Sequence, residues 1–208
     1  MAILPYCVIL ANLKVKKPQV GVDGERVEAL KLESLCALYS DFDDSALAPD
    51  TLRQSALEFH RVIASVFRQM ALVPFRFPNL LKTREELESH LRANLPKYQS
   101  FLERTRDAVQ MEIVLPNTSP APVSVESKTS GAEYLREKQQ RSRPHAELSS
   151  ALLEKIKELV LATKTTDMRL YLLVPRDQIE ALRGHLNGFQ EIRISGPWPA
   201  AEFLEETR

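Results

Sequence analysis

The chain has 208 residues, 44% hydrophobic and 27% charged, with 28 basic and 28 acidic side chains and a formal net charge of zero. That length suits one large domain or two of roughly 100 residues each, and the charge balance gives no electrostatic case for nucleic acid or an anionic membrane as partner. Two cysteines make no disulfide framework, no apolar run nears the roughly 20 residues that span a bilayer, and the N-terminus lacks a basic leader region, so the expected setting is the cytoplasm.

Residues 6–11 form an apolar run that reads as a first strand, followed by a polar loop over 14–25 containing Pro18, Gly21 and Gly24. Residues 35–42 read as a second strand, able to pair antiparallel with the first. Leu52, Ala56, Phe59, Ile63, Phe67 and Met70 then recur at three- and four-residue spacing, which predicts a long amphipathic helix. Leu72-Val73-Pro74 reads as a short strand closed by proline. Thr83 and Glu86 form a capping box that opens a second helix, and Pro96 predicts a kink or a pair of abutting helices there. Residues 109–115 alternate as a strand.

Residues 117–129, rich in Pro, Ser and Thr, form the one linker-like segment. A second capping box, Ser130 with Glu133, opens a helix that breaks near Pro144 and resumes with Leu148, Leu152, Ile156 and Leu159. A strand over 168–174, a helix with Ile179, Leu182 and Leu186, and a strand with Ile192 and Ile194 complete the order. The sequence closes on Gly196-Pro197-Trp198-Pro199, a stiff segment expected to lie outside any strand ladder, whose only tryptophan either caps a small core or forms a docking surface. Strands interrupted by long amphipathic helices predict an α+β chain of two ferredoxin-like, split-βαβ antiparallel-sheet domains, 1–108 and 109–208.

Catalytic chemistry is hard to find. The six glycines form neither a P-loop nor a G-x-G-x-x-G pattern, and His60, His90, His145 and His185 have no second ligand at metal spacing. The acidic pairs Asp43-Asp44, Glu85-Glu86 and Glu205-Glu206 fall in a turn, a first helical turn and a tail. Cys7 and Cys36 lie in apolar runs, where thiols behave as small hydrophobes, and a bond between them stays open at this level. No catalytic residue, metal site or cofactor is expected. Three stretches stand apart: Phe75-Arg76-Phe77 between prolines, the helix start carrying Tyr134 and Arg136, and Trp198. Arg76 is expected either to stack on a ring or to pair with a carboxylate such as Glu112, with the two Phe side chains packed inward.

Taken in order, these stretches resemble the gas-vesicle accessory family GvpF/GvpL. The matching positions are His60; Pro74 with Arg76 and Phe77; Ser130-Gly131 with Tyr134-Leu135; Leu173-Val174-Pro175; and Gly196-Pro197-Trp198-Pro199. The chain departs from the pattern in being short between Leu148 and Met168, in continuing Pro78-Asn79-Leu80-Leu81 after the arginine turn, and in following the Trp segment with Ala200-Ala201. The resemblance implies two α+β domains and a cytoplasmic, vesicle-associated, non-enzymatic helper of shell assembly. Its expected partners are the hydrophobic shell protein and other gas-vesicle accessory proteins, with Phe75, Arg76, Phe77, Tyr134, Arg136 and Trp198 as signature or contact residues. The competing expectation is an interaction module of the same fold serving another complex.

Overall fold

The structure, a computed structural model, describes residues 2–43, 49–116, 148–166, 168–189 and 192–204. These form two compact units, one of residues up to Asp107 together with the segment from Pro199 onward, the other from Ala108 to Trp198. Each contains a four-stranded antiparallel sheet. The linker-like stretch 117–129, the capping box at Ser130 and the break at Pro144 lie outside the described residues.

In the first unit β1 (Ala2–Leu10) lies between β3 (Leu35–Phe42) and the two-residue β4 (Val73–Pro74), and β2 (Glu28–Leu32) forms the far edge. Every residue of β1 from Ile3 to Leu10 apart from Pro5 belongs to the buried apolar core, so both faces of the sheet are covered, which explains an uninterrupted apolar run where a half-exposed strand would alternate. β2 has no counterpart among the strands expected from the sequence. Its burial alternates, Leu30 and Leu32 inward against exposed Ala29 and Lys31, but the turn to β3 is Glu33-Ser34, with Glu33 at φ 52°. That turn lacks the Asn-Gly or Asp-Gly signal of a hairpin.

Two helices follow, α1 (Pro49–Phe67) and α2 (Arg84–Arg104). Phe59, Val62, Ile63, Val66 and Phe67 of α1 are buried, whereas Leu52, expected on the same stripe, is exposed. Thr83 accepts from the Glu86 N–H at 3.3 Å, and the Glu86 carboxylate accepts from the Lys82 N–H at 2.7 Å. The box therefore forms, displaced by one residue on its return bond. α2 runs through Pro96 as a single element. The Pro96 ring faces solvent while Leu91, Tyr98, Phe101 and Leu102 are buried, so packing on either side outweighs the lost backbone bond.

The loop between β1 and β2 is held by a buried polar network. Tyr6 is fully buried; its hydroxyl donates to Ser40 Oγ (3.0 Å) and accepts from the Val22 N–H (3.0 Å), and Ser40 Oγ donates to the Arg26 carbonyl (2.9 Å). A Cβ at Gly21 would fall 2.1 Å from the Tyr6 hydroxyl oxygen. The position therefore accepts only glycine, because the phenol occupies the space of a side chain.

In the second unit the elements are β5 (Ala108–Val114), α3 (148–156), β6 (Ala162–Thr165), β7 (Arg169–Pro175), α4 (Ile179–Leu186) and β8 (Arg193–Trp198). Their sheet order is β6-β7-β5-β8, the split-βαβ arrangement. The first unit has the same order, β2-β3-β1-β4, but a loop with one short turn at Val22–Gly24 stands where the first crossover helix would be. All four residues of β6 are exposed; an edge strand with neither face buried leaves no alternation to read. Cys7 and Cys36 are both free and buried, on neighbouring strands.

Removing the Tyr6 hydroxyl orphans a buried N–H. Tyr6→Phe is expected to lower the unfolding free energy by about 1–3 kcal/mol in urea titrations, and Gly21→Ala by more, since it displaces the whole network. A change below ~0.5 kcal/mol for both would show that the network contributes nothing.

Candidate functional site

Phe75, Arg76 and Phe77 follow β4 directly. The Phe75 N–H donates to the Tyr6 carbonyl at 2.9 Å, extending the β1 edge by one bond, and the Asn79 N–H closes the turn onto the Arg76 carbonyl at 2.8 Å. Both rings are half-buried and point to different helices: Phe75 lies 5.3 Å from the His90 ring of α2, and Phe77 lies 5.2 Å from Phe59 of α1. The tilted geometry is the favourable one for aromatic pairs, at about 0.5–1.5 kcal/mol each beyond area. The Phe77–Pro78 peptide is cis. The turn is therefore pinned at both aromatic ends with the Arg76 side chain exposed between them.

Neither expected partner of Arg76 is observed. The cation–ring contact among the described residues joins Lys155 and Phe189. Glu112 is engaged by Arg169, its diagonal neighbour across β5 and β7. That pairing follows from sheet register, which a linear sequence does not display.

Trp198 ends β8 and stands opposite Gln110 of β5. The ladder thus continues through the Gly-Pro-Trp segment, contrary to the expectation that its prolines exclude it. The reason is a register shift: Glu112 pairs with Ser195 and Gln110 with Trp198, leaving Gly196 and Pro197 opposite a single residue. Such a bulge absorbs a residue without an N–H to give. Gly196 has φ 115°, and a Cβ there would lie 2.9 Å from both the Gln110 carbonyl oxygen and the Met111 sulfur. Arg183 of α4 donates to the Gly196 carbonyl at 3.1 Å.

The shift decides which way the indole faces. Cross-strand partners share a face, so Trp198 lies with Gln110, on the face opposite Val109, Met111 and Ile113. It is 40% exposed, and its Nε1 donates to Ser195 Oγ at 3.2 Å. It is no cap on the layer that Met111 and Ile113 build. Tyr134 and Arg136 lie outside the described residues.

The remaining titratable groups read as structural. His90 Nε2 lies 2.9 Å from the Tyr98 hydroxyl, and burial holds the imidazole below its ordinary value. Burial raises the Cys7 and Cys36 thiols, with Lys31 and Lys17 opposing the rise at Cys36, so neither is an activated nucleophile. His60 lies on the exposed side of α1, and His185 Nδ1 donates to the Ala181 carbonyl at 2.9 Å at the end of α4. Among the described residues no group of three or more His, Cys, Asp or Glu side chains gathers as a metal site.

Comparison with known proteins places this geometry. The profile of a family described as "Gas vesicle synthesis protein GvpL/GvpF" matches residues 2–205. The fold is similar to the crystal structure of the gas vesicle protein GvpF from Anabaena sp. PCC7120, with a TM-score of 0.74 at 12% identity, covering 100% of this chain and 97% of that one. It is also similar to GvpF from Microcystis aeruginosa, with a TM-score of 0.72 at 14% identity and 99% of each chain covered. No curated protein sequence matches significantly.

Two outcomes test the geometry. Gly196→Ala forces a left-handed φ and a clash with β5, so it is expected to cost about 1–3 kcal/mol and to shift the emission of the single tryptophan. An unchanged melt and spectrum would show that the bulge is not required. For His90, the unfolded chain takes up a proton first as pH falls below its ordinary value, while the folded imidazole stays neutral. Its contribution is therefore complete above pH ~6.5 and is lost as pH falls through the depressed folded value. The urea midpoint is expected to decline over that interval in the wild type and to decline less in His90→Gln; equal slopes would exclude His90 as the source.

Proposed function

Because this chain belongs to the GvpL/GvpF family of gas vesicle synthesis proteins, we propose that it is a non-enzymatic accessory protein that binds the hydrophobic gas-vesicle shell protein and assists assembly of the shell in the cytoplasm. The observation that carries this reading is the family match over residues 2–205. The exposed chemistry is consistent with it. The Phe75-Arg76-Phe77 turn presents a cation between two half-buried rings on a backbone held at several points. Trp198 presents part of an indole from an edge strand. Aromatic residues and arginine are enriched in interfaces, and rigid presentation lowers the ordering cost of binding. We take these as two separate contact points, one on each unit, with Tyr134 and Arg136 as further candidates on sequence grounds.

No helix among the described residues is long and apolar enough to cross a membrane.

Co-purification with the shell protein tests the reading. The wild type is expected to retain it, and Arg76→Ala and Trp198→Ala to reduce retention roughly tenfold each, equivalent to ~1.4 kcal/mol. Both positions are exposed, so the melts of the variants should stay close to the wild type. A wild-type chain that retains no shell protein under conditions where another accessory protein does would overturn the function. Full retention by both variants would remove these two contact points.

A further inference from the structure

The first unit carries a second surface that the shell-protein reading leaves unused. Residues 11–17 run from the end of β1 and wall a groove of about 360 Å³ whose other side is one face of the sheet, formed by Ile9 of β1, Cys36 and Leu38 of β3, and Ala29 and Lys31 of β2. Its apolar walls include Ile9, Leu13, Val15 and Leu38. Lys14, Lys17 and Lys31 also line it, and no carboxylate does.

The charge is local and uncompensated. Residues 1–22 contain three lysines and neither aspartate nor glutamate, although the whole chain is neutral. None of the ion pairs among the described residues involves Lys14, Lys17 or Lys31. Lys17 instead donates Nζ to the Val27 carbonyl, which anchors its ammonium just before β2 begins. Lys14 and Lys31 are exposed, one on the loop and one on the strand.

The loop is also fixed. The Ala11 N–H donates to the Ser34 carbonyl at 2.8 Å. Further along, the Lys16 N–H donates to Gln69 Oε1 at 2.9 Å, and Gln69 Nε2 donates back to the Lys16 carbonyl at 3.0 Å. A side-chain amide that satisfies both backbone groups of Lys16 holds its neighbours in place before any ligand arrives, which lowers the ordering cost of binding.

We propose that this groove binds an extended acidic segment of a partner protein, its carboxylates meeting Lys14 and Lys31 and its intervening apolar side chains meeting Leu13 and Val15. Charge complementarity selects an anion. The apolar walls select a ligand with side chains between its charges, and their extent across three strands accommodates an extended segment rather than a lone ion. The lining has no aromatic side chain on which a nucleobase would stack. The proposal goes beyond the shell-protein reading and does not depend on Arg76 or Trp198.

Fluorescence anisotropy of the full chain with a labelled decapeptide of alternating Glu and Leu is the test. The matching Lys-Leu decapeptide and dodecanoate serve as the other two probes. The acidic peptide is expected to bind and to weaken as salt rises, and the Lys-Leu peptide is expected not to bind. The double variant Lys14→Glu/Lys31→Glu should weaken the acidic peptide by at least roughly tenfold, and Lys14→Met/Lys31→Met by less, with unchanged melts. If charge reversal unfolds the chain, the methionine variant decides alone. Equal binding of both peptides, wild-type affinity in the variants, or binding of dodecanoate without the acidic peptide would overturn the proposal. Shell-protein retention measured on the same variants separates the two readings: loss of peptide with retention intact supports a distinct partner for this groove.

Discussion

The first unit depends on one buried tyrosine. Tyr6 sits on the central strand, and three of its groups hold three different parts of the chain. Its hydroxyl fastens the 18–26 loop and β3 through Val22 and Ser40, its ring packs 5.3 Å from Phe59 of α1, and its carbonyl takes the Phe75 N–H. Phe59 in turn meets Phe77. The arginine turn is therefore held by Tyr6 twice, directly through the backbone and indirectly through a chain of rings. A buried hydroxyl that both donates and accepts satisfies the desolvated groups around it, and such a network specifies one arrangement because any other leaves a group unpaired.

The second unit depends on steric closeness rather than a polar network. Gly196 brings β8 against β5 more tightly than a residue with Cβ allows, and the bulge this creates sets the parity of the strand residues beyond it. With side chains alternating along a strand, one extra residue sends the next side chain to the other face. That parity is why Trp198 shares a face with Gln110 and Ser195 rather than with Met111. After Trp198 the chain belongs to the first unit, where Ala200 is buried and Arg104 of α2 donates to the Phe203 carbonyl. The segment that ends this sheet also leads the chain back into the first unit.

Much of this was legible in the residues. Strands β1, β3, β5 and β7 and helices α1, α2 and α4 carry enough apolar residues at the right period to be found without a structure. The missed strands, β2 and β6, are the outer edges of their sheets. An edge strand buries at most one face and is recognised by its neighbour, and neither four exposed residues nor a Glu-Ser turn announces a neighbour. The inward packing of Phe75 and Phe77 was readable as one alternative. The identity of the carboxylate beside Arg169 was not, because Glu112 and Arg169 meet only through the register of β5 on β7. The groove beside β2 was equally hidden: its lysines lie on a loop and on an edge strand that no local sequence signal marks.

By itself the sequence determined the fold class, the family, the lack of a recognisable catalytic motif and the rigidity of the proline-bounded turns, since these follow from local preferences, periodicity and an ordered set of motifs. The tertiary structure alone decided which face Trp198 occupies, what Arg76 does not touch, why Gly21 and Gly196 admit no side chain, and where Lys14 and Lys31 converge. Each of those depends on the distance between residues far apart in the chain, and that distance is set by strand register and packing rather than by the identity of the residues themselves.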